Sequence, residues 1–174
     1  MADGTLKVGT ITNSAGSGNI TIGSGVTVNV NRPAFFAYLS ANQSIGNDSY
    51  TLAQLNSELW DTDSTFNTST YKFTVPSGGA GKYYFSTRVK FSGIDDGEQI
   101  RSVLYKNGAI EYFTMDESFS SASDQQITVM TSVVLDLAVS DYIQLYVRQN
   151  EGAARELFGT TGDGSFLTGY KLGA

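Results

Sequence analysis

Ile127, Val129, Thr131, Val133, Leu135 and Leu137 fall at every second position of one unbroken run. A period of two puts all of them on one face of a strand, whereas a helix would scatter them around its axis. The same alternation recurs along the chain. Phe35, Ala37 and Leu39 share one side, and Tyr71, Phe73 and Val75 alternate up to Pro76, a residue suited to a strand end. Tyr83, Phe85, Thr87, Val89 and Phe91 form the longest aromatic-rich face. Ile100, Ser102 and Leu104 precede Asn107-Gly108, the strongest short hairpin signal in the sequence. Ile143, Leu145 and Val147 follow, and SFLTGYKL comes last. About eight strands separated by turns predict an all-β sandwich or jelly roll. The exception is YTLAQLNSELW, where Leu52, Leu55 and Leu59 fit a short helix as well as a loop.

Residues 1–31 have a different texture. Leu6/Val8, Ile20/Ile22 and Val26/Val28/Val30 alternate between Gly-Ser-Asn turns, with no aromatic residue among them. Such a segment buries little surface alone and is expected to be an extended arm (1–31) ahead of one domain (32–174), a sensible size for a single core. MADGTLKVGT has no basic region followed by an apolar run, so no secretion leader is expected, and no stretch is long and apolar enough to predict a membrane span.

Cysteine and histidine are both absent, which excludes disulfides, thiolate and imidazole metal sites, Cys nucleophiles and His bases. The net charge of −6 argues against nucleic acid as a partner, since phosphate binding needs clustered Lys and Arg.

The second faces of the strands carry chemistry that an isolated sandwich would not need. Tyr84, Val103, Tyr105, Met130, Val134, Tyr142 and Tyr146 all point away from the predicted core. If their strands adjoin they make one sizeable patch, and the expectation is a buried oligomer contact.

FNTSTYKFTVP followed by GKYYFSTRVKFSG resembles the globular C1q domain of the C1q/tumour-necrosis-factor superfamily. That family reads aromatic-Asp-x-Ser-Thr-Gly-Lys-Phe-Thr-x-Pro, then Gly-x-Tyr-x-Phe. Phe66, Ser69, Thr70, Lys72, Phe73, Thr74 and Pro76 match it, as do Gly81, Tyr83 and Phe85. Pro33, Ala34, Phe35 and Ala37 match the family opening, Asn107-Gly108 its turn, and Ser165, Phe166, Gly169 and Leu172 its ending. Asn67 replaces the usual Asp, Tyr71 the usual Gly, and Ser140 the Gly before Asp141. These departures are expected to alter loops and not the fold. The resemblance implies a C1q/TNF-like jelly-roll sandwich forming a homotrimer. It implies aromatic and aliphatic residues packed about a threefold axis, which agrees with the outward residues Tyr84, Tyr105, Met130, Val134, Tyr142 and Tyr146 expected at the trimer interface. Phe35, Phe66, Phe73, Pro76, Gly81, Tyr83, Phe85, Phe166 and Gly169 are its core motif. LKVGTITNSAGSGNITI is similar to segments of bacteriophage tail-fibre and virion-surface proteins, and no G-X-Y period of a collagenous stalk is present.

Candidate chemistry is sparse. Asp61-Thr-Asp63-Ser-Thr65 begins like a calcium loop, but Phe66 stands where an EF-hand needs Gly and Lys72 where it needs Glu. Asp95, Asp96 and Glu98 are the better oxygen cluster. Some C1q-like trimers bind calcium near their apex, so the resemblance makes calcium the alternative there to a plain solvated turn. Asp116, Glu117 and Asp163 rank lower. SGGAGKY lacks the spacing and the Ser/Thr of a phosphate loop. No catalytic residue and no cofactor are expected, and the protein is not read as an enzyme.

The functional expectation is a trimeric capsid decoration or knob protein on the surface of a bacteriophage virion, docked through residues 1–31. The alternative is a receptor- or glycan-binding tip of a tail fibre or cell-surface adhesin, using Tyr112, Phe113 and Phe119 beside Asp116 and Glu117.

Overall fold

The computed structural model describes residues 32–95, 97–117 and 125–173, together with Ser24. Contacts divide the chain into Met1–Val30 and Asn31–Ala174, and the architecture that follows is that of the second unit. The expected arm over 1–31 lies outside the described residues.

The described residues form strands and turns, with no helix among them. Strands are numbered in chain order. One sheet runs β2 (Gln43–Ile45), β12 (Arg155–Leu157), β7 (Gly81–Ile94), β13 (Phe166–Gly173), β1 (Ala34–Tyr38) and β4 (Ser57–Asp61), and β10 (Gln125–Leu137) pairs with β7. β12 and β13 share one flank of β7, at Phe91–Ser92 and at Lys82–Arg88, while β10 occupies the other. The second sheet runs β5 (Phe66–Asn67), β6 (Lys72–Thr74), β11 (Tyr142–Gln149), β8 (Gln99–Lys106) and β9 (Ala109–Glu117), and β3 (Thr51–Leu52) pairs with β11. Every pairing is antiparallel, and the result is the jelly-roll sandwich that the alternation predicted.

The core is built from the alternating positions. Tyr83, Phe85, Val89 and Phe91 from β7 face Ile100, Leu104, Ile143, Leu145 and Val147 from the second sheet, all fully buried. At one end the aromatic motif residues gather. Phe35 stacks on Phe66 at 5.2 Å and on Phe73 at 5.0 Å, and Phe73 meets Tyr83 at 5.3 Å and Phe85 at 5.6 Å. Gly169 lies against them, and a Cβ there would come within 2.6 Å of the Phe85 ring. These residues recur as a sequence motif because each fills a neighbour's space. Phe166 departs from the core expectation: it sits on the outer face of its sheet, 4.7 Å from the Phe36 ring.

The turns answer two of the departures. Tyr71 and Ser140, which stand where the family has Gly, adopt φ of 56° and 71°. The backbone keeps the left-handed conformation that Gly would take freely, and the side chains bear the cost. Asn67 caps its own turn, its Oδ1 accepting from the N–H groups of Ser69 and Thr70, each at 2.9 Å. Asn107 and Gly108 have φ of 52° and 83°, which closes the β8–β9 hairpin with both central residues left-handed.

The helix alternative for YTLAQLNSELW is overturned. The segment supplies β3 and β4, and a register shift opposite Phe36 and Ala37 interrupts the simple alternation. Leu55 is fully buried and Leu59 is exposed.

Candidate functional site

The outward-pointing residues do not form one patch. β7 and β10 belong to the first sheet and β8 and β11 to the second, so the residues expected at a single contact lie on opposite sides of the sandwich.

The first face carries Tyr84, Met130 and Val134. Register places Ala34, Tyr170, Tyr84 and Val134 in one row across β1, β13, β7 and β10. Tyr38, Phe166, Arg88 and Met130 make a parallel row on the same face. The Tyr84 and Tyr170 rings lie 5.2 Å apart, and Tyr84 Oη donates to Ser132 Oγ at 3.1 Å. Met130 is 60% exposed, Val134 50% and Tyr170 44%, with Trp60 and Leu172 also exposed. Tyr170, Trp60 and Leu172 were not among the residues expected at the contact. Arg88 stands over the Phe166 ring at 5.2 Å and donates to the carbonyls of Gly162 and Gly164, each at 2.8 Å, fixing the turn before β13.

β9 and β10 end their respective sheets and lie against one another. Along that open edge Ile110, Tyr112 and Phe113 are exposed. Of the residues proposed for recognition beside them, Phe119 lies outside the described residues.

The second face carries Tyr105, Tyr142 and Tyr146. Tyr105 and Tyr146 stack with centroids 3.9 Å apart, and Tyr50 approaches Tyr105 at 6.4 Å. Arg101 Nη1 donates to Tyr50 Oη at 2.9 Å, and the guanidinium lies 5.8 Å from the Phe113 ring. Lys72 stands over Tyr142 at 4.7 Å, and Arg148 pairs with Asp48. Val103, expected among the outward residues, is fully covered. Burial pushes the Tyr105 hydroxyl above the usual phenol range, with the Tyr146 and Tyr50 phenols adding to the effect.

Asp61 and Asp95 take part in loop structure. Asp61 accepts from Phe66 N at 2.7 Å and from Thr65 Oγ1 at 3.1 Å. Asp95 takes part in the turn before β8, its N–H donating to Glu151 at 2.9 Å and its carbonyl accepting from Glu98 N at 3.3 Å. Asp96 lies outside the described residues. Among the described residues no three acidic groups converge as a metal site would require. Asp163 pairs with Lys90 at 2.6 Å.

The C1q domain family model matches residues 34–172. No curated protein matches the chain. Among solved structures, Eiger TNF from S. frugiperda superposes with a TM-score of 0.62 at 18% identity, over 82% of this chain and 93% of that one. The globular domain of zebrafish complement 1qA gives 0.56 at 18% identity, over 81% and 98%. Murine APRIL at pH 5.0 gives 0.59 at 16%, over 82% and 100%. At these identities the likeness is one of fold.

Proposed function

The chain belongs to the C1q domain family, and on that footing we propose that it is a non-enzymatic homotrimeric module displayed on a bacteriophage particle, a capsid decoration or knob protein docked through residues 1–31. The observation that carries the assembly is the exposed face of Tyr84, Tyr170, Met130 and Val134. A monomer would leave that apolar surface in water. The open β9–β10 edge, with Ile110 and Tyr112, supplies a second and different patch. Two unlike patches suit a head-to-tail contact, which closes into a ring when the rotation permits. The particle reading draws on the similarity of LKVGTITNSAGSGNITI to phage structural proteins. Three arms on one ring would strengthen docking through effective concentration.

Light scattering tests the assembly: a solution mass about three times the 18.7 kDa chain is expected, and a monomer at micromolar concentration removes the trimer. Electron microscopy with antibody against residues 33–174 tests the location. Label over the head supports decoration, label on the tail supports adhesion, and unlabelled particles remove the virion reading.

A second reading, recognition of a surface ligand, is favoured by the tyrosine and arginine face of the β11–β8–β9 sheet. That face lies on the opposite side of the sandwich from the assembly face.

A further inference from the structure

We propose that this second face binds a carboxylate-bearing saccharide chain, with Arg101 as the anion contact and Tyr50, Tyr105 and Tyr146 as the platform. The inference rests on the recognition reading and names its ligand class.

Arg101 stands out by its surroundings. Lys82, Lys90, Lys106, Arg148 and Arg155 each lie within ion-pair distance of a carboxylate. Arg88 and Arg32 place donors on backbone carbonyls. Among the residues whose side chains the structure describes, Arg101 has no carboxylate within ion-pair distance, although the chain carries a net charge of −6. One Nη1 donor goes to the Tyr50 phenol, and Nε is buried out of a ligand's reach, which leaves the Nη edge of the guanidinium to meet one. A guanidinium held in place by Tyr50 and Phe113 with unspent donors is arranged for an incoming planar anion, which it can grip with two parallel hydrogen bonds.

The surroundings of Arg101 decide what carries that anion. β8 is paired on one side with β11 and on the other with β9, so its backbone groups are already engaged. An extended peptide cannot add a strand at β8, beside Arg101 itself. The ligand must be held by side chains. Tyr105 and Tyr146 present stacked phenols, and Tyr50 a third at 6.4 Å from Tyr105. Rings with a polar rim suit a sugar, whose C–H faces pack on the rings and whose hydroxyls bond the phenols. An open pleated face cannot enclose a small molecule as a pocket does, so a chain lying across the strands is the fitting shape.

The test uses the full chain and three polymers in affinity electrophoresis: polygalacturonate (a carboxylated saccharide), dextran (a neutral one) and poly-glutamate (an acidic peptide). Polygalacturonate is expected to retard the protein most. Arg101→Gln should weaken that binding at least about tenfold, the scale of a charged hydrogen-bond pair. Arg101→Lys, which keeps the charge and loses the fork, should restore it only in part, and Tyr146→Ala should weaken it with Arg101 intact. Melting temperature and solution mass serve as controls for folding. Equal retardation by poly-glutamate would overturn the saccharide assignment in favour of an acidic peptide or charge alone. Retardation by polygalacturonate that survives Arg101→Gln, or retardation by dextran alone, would overturn the site or its ligand class and leave the recognition reading standing. No retardation by any of the polymers overturns the proposal, and absence of binding to host cells as well would remove the recognition reading.

Discussion

The hydroxyls of Thr87 and Ser102 meet at 2.7 Å in the middle of the sandwich, one from each sheet, where no solvent reaches either residue. Thr131 lies directly opposite Thr87 on β10, and its hydroxyl is buried with no partner among the described residues. Two neighbouring threonines on one core face should therefore respond oppositely. Thr87→Val leaves the Ser102 hydroxyl unpaired and is expected to cost about 1–3 kcal/mol in urea unfolding. Thr131→Val removes an unsatisfied group at nearly constant shape and is expected to be neutral or to stabilise by about 1 kcal/mol. A Thr131→Val variant as damaged as Thr87→Val would show that Thr131 is satisfied.

Tyr71 and Ser140 hold left-handed backbone that an L side chain adopts at a cost. Tyr71→Gly and Ser140→Gly should each raise stability by up to about 1 kcal/mol, the strain relieved exceeding the added freedom of the unfolded chain. Unchanged denaturation midpoints in both would mean that the side chains return the strain through contacts.

Gly169 admits nothing larger. A Cβ there meets Phe85 at 2.6 Å and Phe35 at 3.1 Å, inside the stacked aromatic group. Gly169→Ala is expected to destabilise by about 1–3 kcal/mol and to disturb the near-ultraviolet signal of the aromatic core.

The outward faces of these strands were legible in the sequence, and the sheets to which they belong were not. Alternation alone placed Tyr84 and Tyr105 outside and Tyr83 and Leu104 inside, and all four assignments hold. Which strand pairs with which depends on long connections that leave no local trace, so Tyr84 and Tyr105 looked like members of one patch. Tyr170 was within reach of the same logic. Leu167 and Gly169 point inward, which turns Tyr170 outward beside Tyr84. Leu59 was misleading because the irregular register of β4 removes the period on which the reading depends. The motif residues announced the core because they touch one another. Arg101 gave no signal, since what marks it is the lack of a carboxylate partner among the described side chains.

Asp141 accepts from Asn107 Nδ2 at 2.8 Å and from Ala138 N at 2.9 Å, with Lys106 at 3.3 Å. The Asn107 and Ala138 hydrogen bonds hold its carboxyl below the usual value, and Lys106 adds to them. A depressed folded-state value contributes stability above the unfolded carboxylate range, and that contribution is lost as pH falls through the folded value. Acid titration of stability should be shallower in Asp141→Asn than in the parent, and the two should converge at the acid end. Parallel curves would remove Asp141 from the acid response.

Val134 is half exposed beside Tyr84 on the assembly face. Val134→Asp should lower the solution mass from three chains to one while the isolated fold remains, because a lone carboxylate buried at an apolar contact has no partner. Tyr105→Asp, on the opposite sheet, should leave the mass unchanged. The reverse pattern would exchange the roles of the two faces.

Ala34 lies opposite Tyr170 and Tyr38 opposite Phe166, so the first strand of the domain pairs with the last. β13 also fills the flank of β7, from Lys82 to Arg88. During synthesis both strands wait, their hydrogen-bonding edges open, until nearly the whole domain has left the ribosome. The closing of this sheet is then a late event that must overcome the entropy of a very long loop. In that interval β1 and β7 are templates for any β13 that arrives, including one from a neighbouring nascent chain. Chains translated from one message are made close together, so exchange of the last strand between them is the characteristic error this topology invites.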